Sequence, residues 1–100
     1  MDFQIKFSES ALVDLQEILT YSLTNFPGSA ERFSQALLDH LELLERFPYI
    51  GSVVLRRAEV RQLVHTPILI YYSVDERRKT VEILHFRHGA RPEWGFEMER

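Results

Sequence analysis

The sequence contains no cysteine. That excludes a disulfide framework, a thiolate metal site and a cysteine nucleophile together. Glycine and proline are sparse, four of each, and nowhere gather into a linker or low-complexity segment. No apolar run approaches the roughly 20 residues that span a bilayer. The opening MDFQIKFSES also lacks the apolar core of a signal peptide, so the expectation is a cytoplasmic protein without membrane association. One hundred residues leave room for a single core, expected over residues 1–91 with a tail at 92–100.

Hydrophobic residues at 45% and charged residues at 27% exclude a globally disordered chain. The net charge of −3 conceals an uneven spread. Residues 1–50 carry three basic and eight acidic side chains, whereas residues 51–91 carry eight basic and four acidic. One face therefore suits an anionic partner, nucleic acid or an acidic protein segment; the plain alternative is a solvated arginine face of a sheet.

Phe3, Ile5 and Phe7 alternate with polar residues, the pattern of a strand with one buried side. Ser8 can cap a helix whose apolar stripe is Leu12, Leu15, Leu19 and Phe26, with Ile18 and Ser22 beside it. Pro27-Gly28 ends that helix. Ser29 is expected to cap a second one, with Ala30, Phe33, Leu37, Leu41 and Leu44 inward, which Pro48 stops. So short a connection makes the two helices a hairpin. Strands are expected at Val53–Arg57, Val60–Thr66, Ile68–Asp75 and Thr80–Phe86, with Ala58-Glu59 as a turn and a bend at Pro67. The fold class is α+β, in the order β-α-α-β-β-β(-β). The N-terminal strand and helix hairpin would pack on one face of a small curved antiparallel sheet. On the last strand, strict alternation puts Val81, Ile83, His85 and Arg87 opposite Glu82, Leu84, Phe86 and His88. Which sheet face the helices cover is left open.

Chemistry-bearing residues concentrate between Arg61 and Arg91. His65 and His85 sit among apolar strand neighbours, where histidines are more often structural than catalytic, and His40 lies at a helix stripe's edge. His88 opens a glycine-containing turn, the kind of place that carries function. Tyr71 and Tyr72 point to opposite faces, one to the core and one to a partner. Trp94 and Phe96 either fold back on the sheet or await a partner. No histidine spacing supports a metal, and no cofactor is expected.

Taken together, Ala11, Asp14-Leu15, Ile18 and Tyr21, then Ala30, Phe33, Leu41, Leu44, Pro48, Gly51, Arg61, Leu63, Ile70-Tyr71-Tyr72, Val74, Val81, Ile83 and His88-Gly89-Ala90-Arg91, resemble the ParE/RelE superfamily of type II toxin–antitoxin toxins. The resemblance implies a toxin neutralised by a cognate antitoxin, as a dimer or a toxin–antitoxin hetero-oligomer, with a role such as plasmid stabilisation. RelE-like members are ribosome-dependent mRNA endoribonucleases. In that alternative His88 would serve as acid and base, with Arg61, Arg87 and Arg91 supplying positive charge. The chain lacks the lysines of the RelE-like strand, offering Arg56 and Arg57, and has Trp94 and Phe96 where a tyrosine is wanted. ParE-like members bind and poison DNA gyrase without a hydrolytic centre. The helix hairpin, the Pro48–Gly51 loop and the closing His-Gly-Ala-Arg favour that branch, as does acidic net charge, which suits a protein target better than ribosomal RNA. Arg56, Arg57, Tyr71, Tyr72, Trp94 and Phe96 are the candidate partner-binding residues. A non-toxic antitoxin-binding module is the third reading.

Overall fold

The computed structural model describes residues 2–89. Seven elements follow in order: β1 (Gln4–Phe7), α1 (Glu9–Asn25), α2 (Ala30–Arg46), β2 (Ser52–Val54), β3 (Arg57–His65), β4 (Ile68–Asp75) and β5 (Thr80–His88). The strands form one sheet in the spatial order β1-β5-β4-β3-β2. The α+β architecture is as expected. The sheet, however, is mixed: β2 to β5 run as an antiparallel meander, and β1 joins β5 in parallel, Gln4 opposite Thr80 and Phe7 opposite Ile83. The meander's three reversals return β5 alongside β1 pointing the same way. Among the described residues no helix is long and apolar enough to cross a membrane.

Both helices cover the face that carries Leu63, Ile68, Ile70, Tyr72, Val81, Ile83 and Phe86. From α2, Leu37, Leu41 and Leu44 enter this core, at most 2% exposed. α1 seats less deeply, through Ala11, Leu15 and Ile18, whose i, i+4, i+7 spacing is one helical face. Leu12 and Phe26, expected in that stripe, are instead 51% and 57% exposed. Ser8 caps α1 as anticipated, its Oγ accepting from the Ala11 amide at 3.0 Å. Ser29 makes no such cap; its hydroxyl turns back to the Phe26 carbonyl.

Two local irregularities move residues from their expected places. The β2–β3 turn falls at Leu55-Arg56 rather than Ala58-Glu59, with Arg56 in the left-handed region at φ 75°. In β5 the register against β4 shifts between Tyr71 and Tyr72, which pair with His85 and Ile83. This bulge inserts one residue and reverses the alternation beyond it. Phe86 therefore follows Val81 and Ile83 into the core, and His85 leaves their face.

The bulge also sets how β5's outer edge is closed. β1 pairs only as far as Ile83. From there α1 takes over. The Ser8 amide donates to the Ile83 carbonyl at 2.9 Å, and the Ser8 hydroxyl donates to that of Leu84 at 3.0 Å. Asp14 Oδ2 accepts the Phe86 amide at 3.1 Å and lies 3.2 Å from His85 Nδ1. Asp14→Ala leaves the Phe86 amide without that acceptor and is expected to destabilise the fold by about 1–3 kcal/mol, with Asp14→Asn closer to wild type. Urea unfolding of the three proteins measures this, and an alanine variant as stable as wild type would contradict the assignment.

Candidate functional site

Two regions gather the candidate residues. The first is the loop after α2. Pro48 ends the helix and is buried. The Gly51 amide donates to Tyr72 Oη at 2.9 Å, so Tyr72, fully buried on the helix side, holds the loop from below. Arg61 holds it from the side. Its Nη1 donates to the Gly51 carbonyl at 2.7 Å and to that of Tyr49 at 3.2 Å, and its guanidinium lies 5.0 Å from the Tyr49 ring centre. The Tyr49 hydroxyl in turn donates to the Glu76 carboxylate in the β4–β5 turn. That bond raises the Tyr49 pKa above its ordinary value, and the same bond, with Lys79 beside it, lowers that of Glu76.

Around this loop, Phe47, Tyr49, Ile50, Val53 and Leu55 are all about half exposed or more, Leu55 reaching 86%. Arg56 is exposed at the adjacent turn, and Arg57 lies 3.4 Å from Glu59. The result is an apolar patch rimmed by arginine, a composition suited to a protein partner.

The second region is a groove of about 750 Å³ between the connecting end of the helix hairpin and the sheet end where β4 begins and β5 finishes. Ile18, Tyr21, Phe26, Phe33, Ile68 and Phe86 give it an apolar lining. Arg87 and His88 lie at the sheet end, with Asp14 and Glu17 on α1. Beside it, Leu12, Val13 and Leu23 add exposed apolar surface on α1. His65 lies on the row shared with Ile68 and His88. Its Nδ1 meets His40 Nδ1 at 2.8 Å, and its ring packs edge-on against Phe33.

The candidate residues are therefore split. Arg61 shares a row with Tyr72, whereas His88 shares one with Ile68 and His65. That is about 13 Å along the strands and about 10 Å across them. Tyr71 and Tyr72 lie on opposite faces as anticipated, yet both are buried, at 1% and 0%. Arg91, Trp94 and Phe96 lie outside the described residues. Sequence reasoning missed the direct part Asp14 and Tyr49 play: a helix aspartate's reach to a strand amide leaves no local pattern.

The family model described as ParE toxin of type II toxin–antitoxin system, parDE, matches residues 5–93. The chain belongs to the ParE toxin family. It is thus a type II toxin of the ParE/RelE superfamily. No curated protein matches its sequence. Solved structures share the fold at low identity. The chromosomal ParDE toxin–antitoxin system of P. aeruginosa matches with TM-score 0.72 and 19% identity over 86% of this chain and 95% of that one. The RelBE2 toxin–antitoxin complex of Mycobacterium tuberculosis matches with TM-score 0.64 and 21% identity over 88% and 99%. The archaeal RelE–RelB complex of Pyrococcus horikoshii matches with TM-score 0.54 and 20% identity over 91% and 99%.

Two outcomes follow for these regions of the ParE-family fold. A Cβ on Gly51 would sit 2.7 Å from both the Gln62 carbonyl oxygen and Tyr72 Oη, so Gly51→Ala should cost about 1–3 kcal/mol in a denaturant melt. The His65 pKa is lowered, first by burial and then by the His40 charge. The folded state thus favours neutral His65; its contribution is complete above the ordinary histidine pKa of about 6.5 and is lost as pH falls from there through the lowered pKa of the folded state. Thermal unfolding should show stability declining as pH falls below about 6.5, and His65→Gln should flatten that decline. An unchanged slope would refute the role of His65.

Proposed function

We propose that this ParE-family toxin acts in the cytoplasm by binding and poisoning DNA gyrase, and that a cognate antitoxin neutralises it by laying an apolar segment into the groove between the helix hairpin and the sheet. The separation of Arg61 from His88 carries the gyrase reading. Cleaving RNA requires a proton-transfer group and positive charge converging on one phosphate. Arg61 instead has two loop carbonyls and the Tyr49 ring as neighbours. The apolar patch at Phe47, Ile50 and Leu55 beside Arg56 suits a protein target. The net charge of −3 is likewise poorly suited to tight contact with RNA phosphates.

The groove supports the antitoxin part. Its apolar lining continues onto exposed apolar residues of α1, the arrangement that receives a peptide through side-chain anchors. Three solved structures sharing the fold come from toxin–antitoxin systems.

Purified toxin mixed with gyrase and plasmid should inhibit supercoiling or trap cleaved DNA, while mRNA in a translating extract stays intact. Cleavage of mRNA with gyrase unaffected would instead favour the RelE-like ribonuclease; silence in both assays would favour a non-toxic binding module. Tyr21→Asp, on the groove wall, should weaken antitoxin binding at least tenfold, about 1.4 kcal/mol, without changing gyrase inhibition. Titration calorimetry on the refolded toxin measures that loss.

A further inference from the structure

Two histidines from different elements meet just outside the groove. His40 follows the buried Leu37 by about one turn of α2, at the edge of the inward stripe, and His65 is the last residue of β3. Phe33 lies about two turns before His40 on the same side of α2. It packs edge-on against the His65 ring, with centres 6.0 Å apart. With Phe33 against it, the His65 ring presents Nδ1 to His40 Nδ1 at 2.8 Å. Both side chains are half-buried, so solvent still reaches them.

We infer that His40 and His65 form a two-nitrogen site for a divalent transition metal ion such as Zn2+, Ni2+ or Cu2+. Neutral imidazole suits these ions. With metal–nitrogen bonds of about 2.0–2.1 Å, two imidazoles on a tetrahedral ion put their nitrogens about 3.3 Å and their ring centres about 5.2 Å apart. Here the ring centres are already 5.0 Å apart, with their planes inclined at 53°. A pivot of the two rings that opens the nitrogens by about half an ångström therefore turns the contact into a chelate. Without an ion, one ring must donate and the other accept. With one, both Nδ1 atoms ligate and both protons sit on Nε2.

Among the described residues no group of three or more His, Asp or Glu side chains could hold a metal. Water therefore fills the remaining positions, and the site is open and exchanging rather than a closed structural centre. Hard cations that prefer oxygen, such as Mg2+, find no suitable ligand in the pair. The two ligands stand 25 positions apart in sequence, so no local spacing announces them. A bound ion ties the middle of α2 to the end of β3, beside the groove wall that Phe33 forms. The binding does not depend on what fills the groove or on which target the toxin meets.

The test uses full-length toxin without a histidine tag, stripped with EDTA and dialysed at about pH 7.5, where histidine is neutral. Zn2+ at a free concentration about tenfold above its dissociation constant should raise the Tm by about 6 °C or more, and Mg2+ should not. Calorimetry should give one Zn2+ per chain and tighter binding of Cu2+. His40→Gln and His65→Gln should each weaken zinc binding at least tenfold, whereas His85→Gln and His88→Gln should keep it. Because either ligand substitution can shift α2, a second measurement uses the wild-type chain. Substoichiometric Cu2+ should broaden the ring NMR signals of His40 and His65 before those of His85 and His88. Zinc binding unchanged in both ligand variants would overturn the site. So would broadening that begins at His85 or His88, one ion shared between two chains, or no binding of Zn2+ or Cu2+ at millimolar metal.

Discussion

A sheet edge must be closed, and in this fold closing β5 organises both the helices and the site. β1 is four residues long and satisfies only the first part of β5. The remainder is met by side chains of α1: Ser8 binds the Leu84 carbonyl and Asp14 the Phe86 amide. An unmet backbone group at this depth costs about as much as a lost buried hydrogen bond. The first turns of α1 are thereby fixed against β5, while Tyr21 and Leu23 in its C-terminal half, and Phe26 just after it, are exposed. The groove runs along that second half of the helix. Its sheet-side wall is Phe86, placed there by the bulge that Asp14 secures.

The two candidate surfaces differ in how they are built. The groove is a gap between elements, apolar because core residues Ile68 and Phe86 meet the exposed rings of Tyr21 and Phe26 across it. The loop patch is a rigid projection, since Arg61, Tyr72 and the Tyr49–Glu76 contact hold it at three points. Ordering a loop before it meets a partner removes part of the entropic cost of binding. The preformed patch and the groove are two separate surfaces of the ParE-family toxin, built in different ways.

Much of this was legible in the residues. The 3.6-residue spacing of Leu37, Leu41 and Leu44 and the alternation of Ile68, Ile70, Tyr72 and Val74 gave the elements and the core, because burial on one side imposes those periods. The signals failed where geometry is not periodic. A bulge adds one residue without a marker, so strict alternation placed His85 on the wrong face and missed Phe86. Parallel pairing of β1 depends on the direction of a strand more than seventy residues away, which no local pattern records. Arg61 looked like charge available for a phosphate, whereas its neighbours in space are carbonyls supplied by a loop ten residues earlier.

That last point changes how genetics on this family member should be read. An arginine that props a loop can, when removed, change activity through collapse of that loop and leave the same phenotype as the loss of a catalytic group. Inactive variants at Arg61 therefore carry no information about chemistry until the shape of the Phe47–Gly51 segment has been measured in them.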